Sequence, residues 1–371
     1  MKMKNLIKLT LILCSITITS CQQQERYVIK GTLTGFPDST MFYLRNMNTD
    51  EVFDSSLIIK GEFHLTGHLQ DVPEQIMLNT KVDNKYLYTS LLIRNESVKI
   101  EGDIKDFPWN VSITGSKTQD DYNYLHDLTK TFSIKRDSLV QSYLKLTPEE
   151  KKEKSKEIWG EIRILDDTTQ QIRVEYVKSH INTYPGVINL GYLKSVLPKD
   201  TVKVLYNKLS EELKTSKYAR VIEVYLNEKI SEIGDIFHDF EAYDQNEEIV
   251  SFSDLIGKYI LLDFTSAYCG PCIQAAEELR LISKTYSDSL RIVSFSVDPK
   301  KDVWLESLDR DSVSWVSLWD GKGRYSETAI KYGVTGYPTF FLIDREGKII
   351  DMWRGYGKGL LENKLEGFQN N

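Results

Sequence analysis

Two cysteines three positions apart, Cys269 and Cys272, with only Gly270 and Pro271 between them, are the residues of this chain best suited to do chemistry. Thiols at that spacing reach each other, so the pair can cycle between dithiol and disulfide. An apolar run, Tyr259 to Leu262, precedes them and ends in Asp263 and Phe264, and a helical stretch follows from Ile273 to about Tyr286. A strand, a tight turn and a helix would set Cys269 at a helix N-terminus, where unpaired N–H groups and the helix dipole favour negative charge. That lowers the thiol pKa, and the thiolate is the attacking species. Cys272 falls one turn further on, shielded. Asp263, at the strand end beneath the pair, is placed to relay the proton that Cys272 gives up. Two other uses of such a pair fit less well. Half a zinc site needs a second pair or histidines at ligand spacing, and the other two cysteines lie far away at positions 14 and 21. An inert disulfide across so small a loop would remove little chain entropy.

The run from Asp263 to Cys272, Asp-Phe-Thr-Ser-Ala-Tyr-Cys-Gly-Pro-Cys, resembles the active-site segment of thioredoxins. More narrowly, residues 240–365 are similar to the TlpA/ResA-like thiol-disulfide oxidoreductases of bacterial envelopes. The resemblance implies a thioredoxin fold. It also identifies Pro338, in Val334-Thr-Gly-Tyr-Pro-Thr-Phe340, as the family's cis-proline, which packs beside the sulfurs and helps hold an incoming peptide backbone. Tyr268, Gly270, Pro271, Gly336 and Tyr337 then become candidate substrate contacts around the redox pair. The chain departs from the family pattern at four places. Tyr268 stands where tryptophan is usual, and Thr265 where an aromatic is common. Glu277 replaces a helix-kinking proline, and Ala275 replaces the glutamate of the ResA-like branch. That glutamate's role would be absent or fall to Glu277 or Glu278.

The rest of the chain must carry and place this unit. The length of 371 residues suggests two or three domains. A composition of 41% hydrophobic and 27% charged residues is globular. Lysines at 2, 4 and 8, an apolar run from Leu9 to Ile18 and the sequence Ile18-Thr-Ser-Cys21 read as a secretory signal of the lipoprotein kind, cleaved before a lipid-bearing Cys21. The apolar run is too short for an ordinary membrane span. Residues 1–20 are thus the signal and 21–26 a polar tether. Cys14 leaves with the signal and Cys21 is consumed by lipid, so the only thiols remaining are Cys269 and Cys272. Three lysines leave as well, moving the formal charge from −7 to −10. An acidic protein has no electrostatic footprint for nucleic acid, and its only hold on a membrane would be the anchor.

Residues 27–115 read as a β-rich domain. Short runs such as Tyr27–Gly35, Thr40–Arg45 and Gly61–Gly67 are separated by Gly, Asn and Asp clusters, which suggests a small sandwich or barrel. This stretch resembles the DUF4369 type of β domain found ahead of TlpA-like units. His64 and His68 share a strand face, but no acid or third histidine joins them, so no metal site is expected. Residues 116–233 read as helical. Leu125, Leu128, Phe132, Leu139, Tyr143 and Leu146 recur on one face, and Thr147-Pro-Glu-Glu150 has the form of a helix start. Tyr184-Pro-Gly186 reads as a break, with helices expected over 187–196, 199–213 and 218–230. From 234 to 371 strands alternate with helices: strands at 258–264, 290–296 and 315–319, helices at 301–308 and 326–332, a hairpin of 339–343 with 348–353, and a closing helix at 358–368. The expected fold class is an α/β thioredoxin fold at the C-terminus, preceded by a small all-β domain and a helical region.

The reading that follows is an envelope enzyme, lipid-anchored and periplasm-facing, on the outer membrane rather than the inner. It would reduce protein disulfides without a cofactor or metal and draw electrons from a membrane thiol donor. The Gly-Pro dipeptide matches thioredoxin, a reductant at about −270 mV, where strong oxidants lie at about −120 mV. Family-typical tasks are cytochrome c maturation and general thiol repair. Two other readings stand beside it: a thiol peroxidase, although no Pro-x-x-x-Thr-x-x-Cys pattern precedes Cys269, and a non-enzymatic binding or scaffold lipoprotein.

Overall fold

A computed structural model describes residues 26–70 and 72–366. The expected signal with Cys14, the expected lipidation site Cys21 and nearly all of the tether lie outside the described residues. The first strands form two four-stranded sheets. One runs in the order β4 (Glu62–Gly67), β1 (Tyr27–Thr34), β7 (Ser97–Asp103), β8 (Ser112–Thr114). The other runs β3 (Val52–Leu57), β2 (Met41–Asn46), β5 (Glu74–Val82), β6 (Lys85–Ile93). Alternate residues of each strand point inward, so Ile29, Phe42, Leu44, Ile76, Leu78 and Ile100 fill one shared core between the sheets. This is the sandwich expected from the strand spacing.

Helices occupy the middle of the chain. The long antiparallel pair α1 (Lys117–Leu144) and α2 (Pro148–His180) turns at the capping box read from sequence: the Thr147 hydroxyl accepts from Glu150 N, and the Glu150 carboxylate accepts from Thr147 N. Of the apolar stripe on α1, Leu125 is buried while Leu128 is exposed, so much of this pair stands clear of the core. The break expected at Tyr184-Pro-Gly186 falls just ahead of it, at residues 181–183 between α2 and the next helix. Tyr184-Pro-Gly186 itself opens α3 (Tyr184–Leu193), capped by Thr183, because proline is tolerated in the first turn. Gly186 permits the tight junction: a Cβ there would lie 2.2 Å from His180 O. The helix expected over 199–213 is two, α4 (Lys199–Asn207) and α5 (Glu211–Lys214), since Ser210 caps a new start. Then comes α6 (Lys217–Asn227).

The last part is a seven-stranded mixed sheet in the order β10 (Ile249–Ser251), β9 (Glu241–Asp244), β13 (Val316–Trp319), β12 (Leu290–Ser296), β11 (Tyr259–Thr265), β14 (Thr339–Ile343), β15 (Ile349–Arg354). β11, β12 and β13 are parallel, and antiparallel strands close both edges. The helices are α7 (Gly270–Thr285), α8 (Lys301–Arg310), α9 (Glu327–Lys331) and α10 (Leu360–Leu365). β11 is buried on both faces. Ile260, Leu262 and Phe264 join the core with Phe295 and Tyr332, and Tyr259 and Leu261 pack with Ala275 and Leu279 of α7. This is a thioredoxin fold. Among the described residues, no helix is long and apolar enough to cross a membrane.

The three parts meet at one polar junction. Buried Glu74 of β5 pairs with Lys217 of α6 at 2.5 Å and also accepts from Asn46 and Asn48. Asn48 Oδ1 accepts from Tyr325 of the last part. Arg324 donates to Met47 O at 3.0 Å and to the Tyr192 hydroxyl of α3 at 2.6 Å. The turn after β2 is thereby fixed against the part of the chain that carries the cysteines.

Candidate active site

Cys269 is the N-cap of α7, and its Sγ accepts from Cys272 N at 3.2 Å. The helix begins there because Gly270 and Pro271 occupy its first turn, where proline's missing N–H costs nothing. Cys269 and Cys272 are joined as a disulfide with Cα atoms 5.2 Å apart. Cys269 is half-buried and Cys272 is buried. The sulfur that a partner can reach is therefore the one over the helix N-terminus, where N–H groups and the dipole favour a thiolate.

Asp263 shares a face of β11 with Tyr259 and Leu261, the face that α7 covers, so it lies beneath the helix whose first turn holds Cys272. It is buried, Ser294 donates to its Oδ2 at 3.2 Å, and its Oδ1 has no hydrogen-bond partner. Burial pushes its pKa up to about 7, against the smaller downward pull of the Ser294 hydroxyl. Ser294 is held in turn by Trp315 Nε1 at 2.8 Å.

The register of β11 with β14 pairs Phe264 with Thr339, which sets Pro338 beside the end of the strand that leads to the cysteines. The Tyr337–Pro338 peptide bond is cis. Thr339 Oγ1 donates to Gly336 O at 2.6 Å, and Gly355 N to Pro338 O at 2.8 Å, fixing this loop. Tyr268 is 74% exposed beside Cys269. Tyr268 and Tyr337 line one cavity of about 230 Å³ together with Met47, Asn48, Thr49 and Asp50 of the β sandwich. Gly270 and Pro271 stand exposed on the helix end and are not part of that lining.

Several site residues escaped the sequence reading. Asp298, just past β12, is buried and accepts from Ser266 Oγ, Ala267 N and Ser296 Oγ, all within 2.9 Å of one of its oxygens. It pins the connector that delivers Cys269, and Arg310 donates to Ala267 O from the other side. The available signal was an acid directly after an apolar strand, Ser296-Val297-Asp298. Glu278, named as a stand-in for the missing glutamate, is committed elsewhere: its carboxylate accepts from Tyr356 and from the amides of Gly359 and Glu362 around the start of α10. Glu277 is exposed. Neither takes over that role by any contact with the cysteines.

A thioredoxin fold with a disulfide at the N-terminus of the helix after its central strand defines a thiol-disulfide exchange protein. Residues 233–352 match the AhpC/TSA family, and residues 27–122 match a domain of unknown function, DUF4369. The chain is 30% identical over 132 residues to the thioredoxin-like protein YneN of Bacillus subtilis, covering 34% of this chain and 75% of that protein. It is 27% identical over 158 residues to the thiol-disulfide oxidoreductase ResA of Oceanobacillus iheyensis, covering 41% of this chain and 79% of that one. The solved thioredoxin domain of a Bacteroides vulgatus thiol-disulfide oxidoreductase is 27% identical, covers 37% of this chain and 98% of its own, and has a TM-score of 0.35. The chain belongs to the thioredoxin-like family of thiol-disulfide oxidoreductases.

Proposed function

We propose that this enzyme works as a reductase of protein disulfides in the cell envelope. The observation that carries the reading is the asymmetry of the pair: one sulfur at the helix N-terminus and within reach, the other buried over a carboxyl that titrates near neutrality. In the reduced enzyme the Cys269 thiolate attacks a substrate disulfide. One substrate sulfur leaves as a thiolate, and a mixed disulfide forms. Asp263 takes the proton of Cys272. The Cys272 thiolate attacks Cys269 Sγ, the second substrate sulfur leaves, and the enzyme is left as the disulfide seen here. Two electrons pass to the substrate, so a membrane thiol donor must restore the dithiol. Pro338 and its neighbours Gly336 and Tyr337, with Tyr268, Gly270 and Pro271 across the pair, form the face the substrate meets. The amino-terminal signal and Cys21 support export and a lipid anchor facing the periplasm, from the outer membrane rather than the inner. The proposal includes the division into residues 27–115, 116–233 and 234–371.

The test is non-reducing electrophoresis of two variants from envelope extracts. Cys272→Ser leaves the first attack intact and should accumulate reducible adducts, while Cys269→Ser should trap none. Adducts on Cys269→Ser alone would reverse the roles, and adducts on neither would sink the reductase reading.

A further inference from the structure

The loop ahead of Pro338 borders a second cavity, also of about 230 Å³, that the exchange chemistry does not use. Its walls come from two parts of the chain: Tyr192 of α3 and Val221 of α6 on one side, Ile330 of α9, Val334 and Tyr337 on the other. Val221 and Ile330 are buried, and Tyr192 is half exposed at the rim. Two cations border the space, and both have their heads engaged. Arg324 donates to the Tyr192 hydroxyl and Met47 O, and Lys194 Nζ donates to Gly191 O at 3.0 Å. The walls are then mostly aliphatic surface and aromatic rings, with the hydroxyls of Ser195 and Thr335 among them. Its volume is below the roughly 300–1,000 Å³ of pockets that enclose whole small ligands, which suits one side chain.

We propose that this cavity is a specificity subsite for a single large apolar side chain, aromatic or branched aliphatic, carried by the polypeptide that flanks the substrate cysteine. The inference rests on the reductase reading above. Continuity with the active face argues for a polypeptide occupant. Tyr337 has one flank in this cavity and the other in the cavity it shares with Tyr268, so a chain lying along residues 334–338 with its sulfur at Cys269 passes the mouth. The helices α3 and α6 thus supply half of the recognition surface, and the substrate class narrows to disulfides in apolar sequence context.

The test uses the full chain, pre-reduced, in single-turnover reduction of three probes. Two are peptides with one internal disulfide, identical except that phenylalanine or alanine flanks the cysteines. The third is hydroxyethyl disulfide, which has no side chain to place. The wild type should favour the phenylalanine peptide by about tenfold or more in kcat/KM, the discrimination an apolar pocket gives. Ser195→Trp, at an exposed position on the cavity wall, should bring the phenylalanine peptide down to the alanine rate and leave hydroxyethyl disulfide unchanged. Tyr192→Ala should lower the preference by opening one wall. Equal rates for the two peptides in a wild type that still reduces hydroxyethyl disulfide overturn the subsite alone, as does a preference that survives both substitutions. A wild type inert toward hydroxyethyl disulfide overturns the reductase reading instead.

Discussion

The surroundings of two buried aspartates, one under the cysteines and one beside them, are opposites. Asp263 on β11 has a single donor, Ser294, and one oxygen with no partner. Asp298, just past the neighbouring strand, is as deeply buried and holds two hydroxyls and a backbone amide. Burial disfavours a carboxylate, and for Asp263 it raises the pKa to about 7. A carboxyl short of donors keeps a proton to exchange near neutral pH, whereas one saturated with donors becomes a fixed strut. Burial does not separate the two roles; the count of donors does.

Four measurements press on that contrast, and the largest effect is kinetic. Asp263→Asn keeps the shape and removes the proposed proton acceptor, so the attack of Cys272 on the mixed disulfide should slow by about 10²-fold or more, as for loss of a general base. Stopped-flow release of oxidised enzyme reads this step, and an unchanged rate across pH would take Asp263 out of the mechanism. Next is the pH dependence of stability. The carboxyl is near 3.8 in the unfolded chain and about 7 in the folded one, so the native state holds the extra proton between those values. Stability from Asp263 is full below about pH 4 and is lost as pH rises from there through about 7, by on the order of 4 kcal/mol. Chemical denaturation of the oxidised protein should find Asp263→Asn more stable than wild type at pH 8 and level with it at pH 4. A difference independent of pH would contradict the raised pKa.

Asp298→Ala should act in the other direction. Three donors lose their acceptor at once, and unfolding should become easier by about 2–3 kcal/mol, with the connector before Cys269 loosened. Urea melts compared with Asp263→Asn give the contrast directly, and equal losses would erase it. The smallest effect belongs to Ser294→Ala. With its one donor gone, Asp263 should titrate higher still, shifting the pH–rate midpoint upward by up to about one unit, worth ~1 kcal/mol. A downward shift would mean that Ser294 does not donate to the carboxylate.

The parts of this site that are local in sequence were legible. Strand β12 falls on residues 290–296 as its apolar run requires, and Thr147 caps α2 because the Thr-Pro-Glu-Glu pattern supplies both halves of a capping box. The disulfide joins the two cysteines that the spacing singles out, and Asp263 is buried where the apolar run ends; their roles in the exchange are part of the proposal. What stayed hidden depends on contacts between distant segments. Asp298 matters through Ala267, thirty-one positions earlier, and Arg324 through Met47, 277 positions away. The 199–213 stretch read as one helix, yet α4 stops at Asn207 and the Ser210 hydroxyl caps a new start by accepting from Leu213 N. Glu278 was one of two acids to which the missing glutamate's role could fall, yet its carboxylate is taken up around the start of α10.

That last contact carries a consequence for motion. Helix α10 has six residues, too few to persist alone in water. Its leading amides, Gly359 and Glu362, close onto a carboxylate that α7 extends. Their exchange with deuterium must therefore wait for that clasp to open, and they share one local unfolding unit with the helix that bears the cysteines. Two amides near the end of the chain thus act as a clock for breathing at the redox centre, readable without touching either sulfur.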